Sequence, residues 1–122
     1  MTERSEVIAA CLELPGVFED YPFDDANWTV MRHGSTKKSF AYIYEHEGRI
    51  WVNVKAEPMA VLLWQQIFPA VVPAYHMNKT HWVSIILDGS MEDGQILRLV
   101  QDSYKLTLPK KGAKKAPSAD EA

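Results

Sequence analysis

Apolar positions recur along this chain with two different periods. Between Glu3 and Leu14, Val7, Ile8, Cys11 and Leu12 share one helical stripe, with Thr2 placed to cap the start and Pro15-Gly16 to end the run. Four short segments follow: Phe18–Tyr21, Trp28–Arg32, Ser39–Tyr44 and Ile50–Lys55. They are rich in aromatic and β-branched residues and read as strands. In the last of them Trp51, Asn53 and Lys55 alternate with Val52 and Val54, which gives one polar-tipped face and one apolar face. The loops 33–38 and 45–49 each contain Gly and suit hairpins. Pro58 then opens a second helix, in which Met59, Leu62, Leu63, Gln66 and Ile67 follow helical spacing until Pro69. Residues 73–79 read as an irregular connector, and Trp82–Leu87 as an apolar strand that stops at Asp88-Gly89. Ser90-Met91-Glu92-Asp93 has capping-box spacing for a last helix, which turns Ile96, Leu99, Val100 and Tyr104 inward. The predicted order is helix, four-strand meander, helix, strand, helix. Such segregated elements point to an α+β fold with helices packed on one face of an antiparallel sheet.

Composition narrows the function classes. With 122 residues, 47% of them hydrophobic and 24% charged, the chain suits a soluble domain with one core. We read residues 1–109 as that domain and the Lys-rich segment 110–122, which lacks bulky apolar residues, as a disordered tail. No apolar run is long enough for a transmembrane helix, and the acidic start lacks a signal-peptide core. A lone cysteine, Cys11, fits a reducing cytoplasm and a packing role. The formal net charge is −3, and residues 1–109 alone carry nine Lys and Arg against fourteen acids, net −5. That sign argues against nucleic acid as a partner, but the charge is uneven. Seven acids fall between Glu3 and Asp25, whereas five of the seven charged residues from Arg32 to Lys55 are basic.

No catalytic motif emerges: there is no nucleophile elbow, no phosphate-binding Gly-rich loop and no thiolate cage, so neither an enzyme nor a cofactor is expected. His76 and His81 stand five apart, a spacing that puts them on one face of neither a helix nor a strand, and the expected role is to fix the connector by hydrogen bonds. Glu19, Asp20, Asp24 and Asp25 lack a metal-loop pattern and are expected to be solvated or to cap turns, so no metal is assigned. Arg32, His33, Lys37 and Lys38 around one hairpin, with Arg49 at the next, are candidate phosphate contacts; the alternative is ordinary charged hairpin tips. The four tryptophans, Trp28, Trp51, Trp64 and Trp82, are expected to be mainly core.

Pro15-Gly16-Val17, the segment Glu19-Asp20-Tyr21-Pro22-Phe23-Asp24, Lys55 near Pro58, and above all Pro73 through Trp82, followed by Leu87-Asp88-Gly89-Ser90, resemble the MmcQ/YjbR-like family, as does Ser103-Tyr104. The resemblance implies a frataxin/CyaY-like fold and DNA binding by two hairpin loops acting as a double wing; with no recognition helix carrying a reading row of Arg, Asn or Gln, binding to double-stranded DNA is expected to be non-specific. The wings would be 33–38 and 45–49, with Arg32, Lys37, Lys38, Arg49 and Lys79 as contacts, and His76, Asn78 and His81 lining a motif surface. A monomer is expected. The competing class is a protein-interaction or small-ligand module that uses the connector from His76 to Trp82.

Overall fold

The computed structural model describes residues 1–109; the expected tail lies outside the described residues. The elements are α1 (Arg4–Leu12), β1 (Val17–Asp20), β2 (Thr29–His33), β3 (Ser39–His46), β4 (Arg49–Lys55), α2 (Pro58–Ile67), β5 (Val71–Pro73), β6 (Trp82–Ile86) and α3 (Asp93–Leu106). The six strands form one sheet in the order β1-β2-β3-β4-β6-β5, with every neighbouring pair antiparallel. The α+β architecture is as predicted. The additional element is β5, three residues that pair Val71 with Ile85 and Pro73 with Val83. Its Pro is tolerated because the strand lies at the sheet edge.

Strand alternation divides the side chains between two faces. Met31, Ile43, Val52, Val54, Val83 and Ile85 form one core with Val7 and Cys11 of α1, Val61 of α2 and Ile96, Leu99, Val100 and Tyr104 of α3. All three helices therefore cover the same face. At the start of β3 the register slips between Met31 and Arg32, which lets consecutive Phe40 and Ala41 both enter this core. Ser103 of α3 stitches the sheet there: its hydroxyl donates to the Phe40 carbonyl at 2.6 Å and accepts the Lys55 amide at 2.9 Å.

Two expected helix starts move. Glu3, not Thr2, precedes α1, and Glu6 Oε1 accepts both the Glu3 amide at 2.9 Å and the Thr2 amide at 3.0 Å. Glu92, not Ser90, precedes α3, with Gln95 Oε1 accepting the Glu92 amide at 3.0 Å; Ser90 instead donates to Asp88. The larger correction concerns α2. Met59, Leu62, Leu63 and Ile67 are 77%, 60%, 51% and 54% exposed, and the inward stripe is Val61 with half-buried Trp64 and Phe68. This helix is apolar on most of its circumference, so spacing alone does not choose a face.

Candidate functional site

The sheet face without helices carries an aromatic layer. Tyr42, Tyr44 and His46 of β3, Trp51, Asn53 and Lys55 of β4, and Trp82 and Ser84 of β6 have the strand parity opposite to the core residues. Trp28 stacks on Tyr44 with centroids 4.1 Å apart, and Tyr75 lies 5.7 Å from Tyr44 and 4.2 Å from His46. Tyr42 meets Trp82 edge-on at 5.7 Å. Beneath these rings lies a buried polar cluster. The Tyr44 hydroxyl donates to Asn53 Oδ1 at 2.7 Å, the Ser84 hydroxyl donates to the same oxygen at 2.5 Å, and Asn53 Nδ2 donates to the Tyr75 carbonyl at 2.9 Å. The Tyr75 amide closes the cluster by donating to Ser84 Oγ at 2.9 Å. Burial pushes the Tyr44 phenol up to about 12, partly offset by its bonds to Ser84 and Asn53, so it stays a neutral donor.

These bonds explain how the connector is held. Asn53 and Ser84 bind the backbone of Tyr75, while Asn78 Oδ1 accepts the Thr80 amide at 2.9 Å and the His81 amide at 3.1 Å. The expected agents were His76 and His81. Neither side chain makes a hydrogen bond among the described residues; His76, at φ +61°, packs its ring 4.0 Å from Tyr75. The connector and the loop 21–28 thus lie against the aromatic face. Between them opens a cleft of about 480 Å³ lined by Phe23, Asp25, Trp28, Tyr42, His76 and Met77.

The predicted basic residues fall into two groups. Successive hairpins of a meander lie at opposite ends of the sheet, and β3, with eight residues, separates them by roughly 24 Å. Lys37 and Lys38 occupy one end. Lys55, paired with Trp82, and Lys79 in the connector occupy that same end, because the meander pairs Ala41 with Val54 there. Arg49 is at the other end, lining a depression with Glu3 and Glu45. Asp88 is also there: hydrogen bonds from Ser90 hold its carboxyl below the usual range, and Arg49 lowers it further. The second hairpin is therefore a mixed, acid-rich tip. Arg32 is committed to the first hairpin, since its Nε donates to Asp20 at 2.8 Å and Nη1 to the Lys37 carbonyl at 2.9 Å. Lys37 places its ammonium 5.1 Å from the Phe18 ring centre. His33, grouped with these cations by sequence proximity, points instead into the core, with Nε2 2.7 Å from the Thr107 hydroxyl.

Tyr42, Phe23, Met77 and Lys55 were not singled out as site residues by sequence reading. The spacing Tyr42, Tyr44, His46 was the available signal, because alternate residues of a strand share a face. Asp25 caps its turn as expected, its Oδ1 accepting the Asn27 amide at 2.9 Å, whereas Asp20 departs from the expectation by pairing with Arg32 across β1 and β2.

The family model described as YjbR matches residues 12–106. The chain belongs to the YjbR family. It is 35% identical over 101 residues to the uncharacterised protein YjbR of Escherichia coli strain K12, covering 83% of each chain. It is 30% identical over 118 residues to the uncharacterised protein YyaQ of Bacillus subtilis strain 168, covering 88% of this chain and 99% of YyaQ. Among solved structures, Deinococcus radiodurans protein DR2400, which carries the DUF419 domain, superposes with a TM-score of 0.82 at 31% identity, covering 99% of this chain and 88% of that one. A Pseudomonas syringae crystal structure gives a TM-score of 0.78 at 26% identity, covering 87% of this chain and 99% of that one. The decapeptide from Pro73, the strongest sequence resemblance, is the connector that lies against the aromatic face. Among the described residues no helix is long and apolar enough to cross a membrane.

Proposed function

We propose that this YjbR protein binds double-stranded DNA non-specifically through the basic end of its helix-free sheet face. The observation that carries this reading is that Lys37, Lys38, Lys55 and Lys79 fall at the same end of the sheet, although the domain as a whole is acidic. Phosphate contact needs positive charge within reach rather than a fixed motif. Arg32 acts in this reading as a brace for the first wing, and the wing at 45–49 contributes little attraction because Glu45 and Glu47 flank Arg49. The two tips, roughly 24 Å apart, cannot share one major groove about 12 Å wide, so contacts fall on the phosphate backbone. A frataxin-like relationship, a monomeric and non-enzymatic role and a cytoplasmic setting belong to the same reading. The helices covering one sheet face support the first, the lack of a catalytic motif in the sequence supports the non-enzymatic role, and the lone buried Cys11 supports the cytoplasmic setting; the monomer is carried over from the family resemblance alone.

Fluorescence anisotropy with a short duplex at low salt tests the proposal. Binding is expected near 10 µM in about 50 mM salt, within the range of non-specific binders. Charge reversal of Lys37 and Lys38 should weaken it at least tenfold, whereas Arg49→Glu should change it little. No binding by the unaltered protein would reject the proposal. A second reading, capture of a small ligand, is favoured by the cleft beside the connector, whose lining is mainly apolar with few polar groups.

A further inference from the structure

We infer that the cleft between the loop 21–28 and the connector binds an organic cation of the alkylated-ammonium class. This rests on the small-ligand reading above. Three of its six lining residues, Phe23, Trp28 and Tyr42, are aromatic. Phe23 and Trp28 meet at 6.3 Å with their planes 83° apart, so the two rings form a corner rather than a flat stack. One face of Trp28 is already taken by Tyr44 at 4.1 Å, so a positive charge would be drawn to the ring faces that remain open toward the cleft. Met77 adds a polarisable thioether to the wall.

The charge of the lining favours the same class. It contains no Lys or Arg, and its one carboxylate is Asp25. Asp25 Oδ1 is fixed by the Asn27 amide at 2.9 Å, while Oδ2 makes no hydrogen bond among the described residues. An anion would meet Asp25, and Asp24 beside it, with the His76 imidazole as the one basic group in the wall. A bare divalent metal would find one carboxylate where several oxygen ligands are needed. A cation carrying its own apolar groups satisfies both halves of the site: methyl groups against the rings, and charge toward Asp25. The volume, about 480 Å³, is ample for a trimethylammonium head and a short chain.

The test is a titration of the full chain with choline chloride, followed by backbone amide NMR at ionic strength matched with sodium chloride. The neutral isostere 3,3-dimethyl-1-butanol is the control. Choline should give saturating shifts at residues 23–28 and 75–77, and the neutral analogue should bind at least about fivefold more weakly. Asp25→Asn keeps an acceptor for the Asn27 amide but removes the charge, so its spectrum should stay native while choline binding falls several-fold. Phe23→Ala, at a half-exposed ring, should weaken binding in the same direction, and reversal of Lys37 and Lys38 should leave it unchanged. Equal binding of choline and its neutral analogue, or undiminished binding by Asp25→Asn, would overturn the cation assignment while leaving a small-ligand cleft. No saturating shift with either compound up to about 50 mM, weaker than any useful affinity, would sink the small-ligand reading as well.

Discussion

Gly34 has no room for a side chain. A Cβ there would sit 2.9 Å from the Gly16 carbonyl oxygen, which already accepts the Gly34 amide at 2.6 Å. That bond ties the first wing to the turn after α1, and Gly16 itself sits at φ +71°. Gly34→Ala should therefore lower stability by about 1–3 kcal/mol, read as a shift in the urea midpoint at constant slope. His33 beside it makes the domain acid-sensitive. Burial lowers its pKa below the ordinary 6.5, with a Tyr104 backbone bond acting the other way and Lys38 adding to the lowering. The unfolded chain thus binds the proton more readily. This contribution is fully present above pH 6.5 and is lost as pH falls through the folded value. His33→Gln should flatten the slope of stability against pH between about 7 and 5, measured by thermal melts. Cys11 is inert for a related reason: burial alone pushes its thiol up to about 12. A disulfide exchange reagent should label it only at the rate at which the domain opens, and immediately in denaturant.

Whole elements were read from the sequence with uneven success, and the reasons are physical. α3 was legible because Ile96, Leu99, Val100 and Tyr104 stand against a polar opposite face, and all four are buried. The alternation in β4 likewise assigned Val52 and Val54 to the core and Asn53 to the other side. α2 was legible as a helix but not in its rotation, since Met59, Leu62, Leu63 and Ile67 compete with Val61, Trp64 and Phe68 for one core. β5 escaped because three residues carry no period. The site was partly legible: the connector stood out as a motif, but its agents were misassigned to His76 and His81. Asn78 is the residue that shapes it, through a side-chain turn that no periodicity reports. Asn78→Ala should loosen residues 76–81 and cost roughly 1 kcal/mol, whereas His81→Ala should be near neutral. Paired denaturation curves would show the contrast.

At the scale of the molecule, the net charge of residues 1–109 conceals a dipole along the strands. Lys37, Lys38, Lys55 and Lys79 mark one end, while Glu45, Glu47 and Asp88 surround Arg49 at the other. If four lysines neutralise phosphates, the logarithm of the binding constant should fall with the logarithm of salt at a slope of about −3 to −4. A slope near zero in that titration would be incompatible with phosphate contact at this end. The sheet is also packed on both sides by very different means. One side has three helices over an aliphatic core, and the other has two loops over aromatic rings and a small polar cluster. The loop side has no helix over it and is tied down by a few hydrogen bonds, so it is expected to detach while the helical side stays intact. Amide exchange should then follow two regimes in one domain. The Tyr75 and Trp28 amides should exchange through a shallow opening indifferent to low denaturant, and those of Val52 and Val83 only by unfolding of the whole. A molecule so arranged holds its scaffold still while one surface breathes, and anything that settles on that surface slows its exchange first.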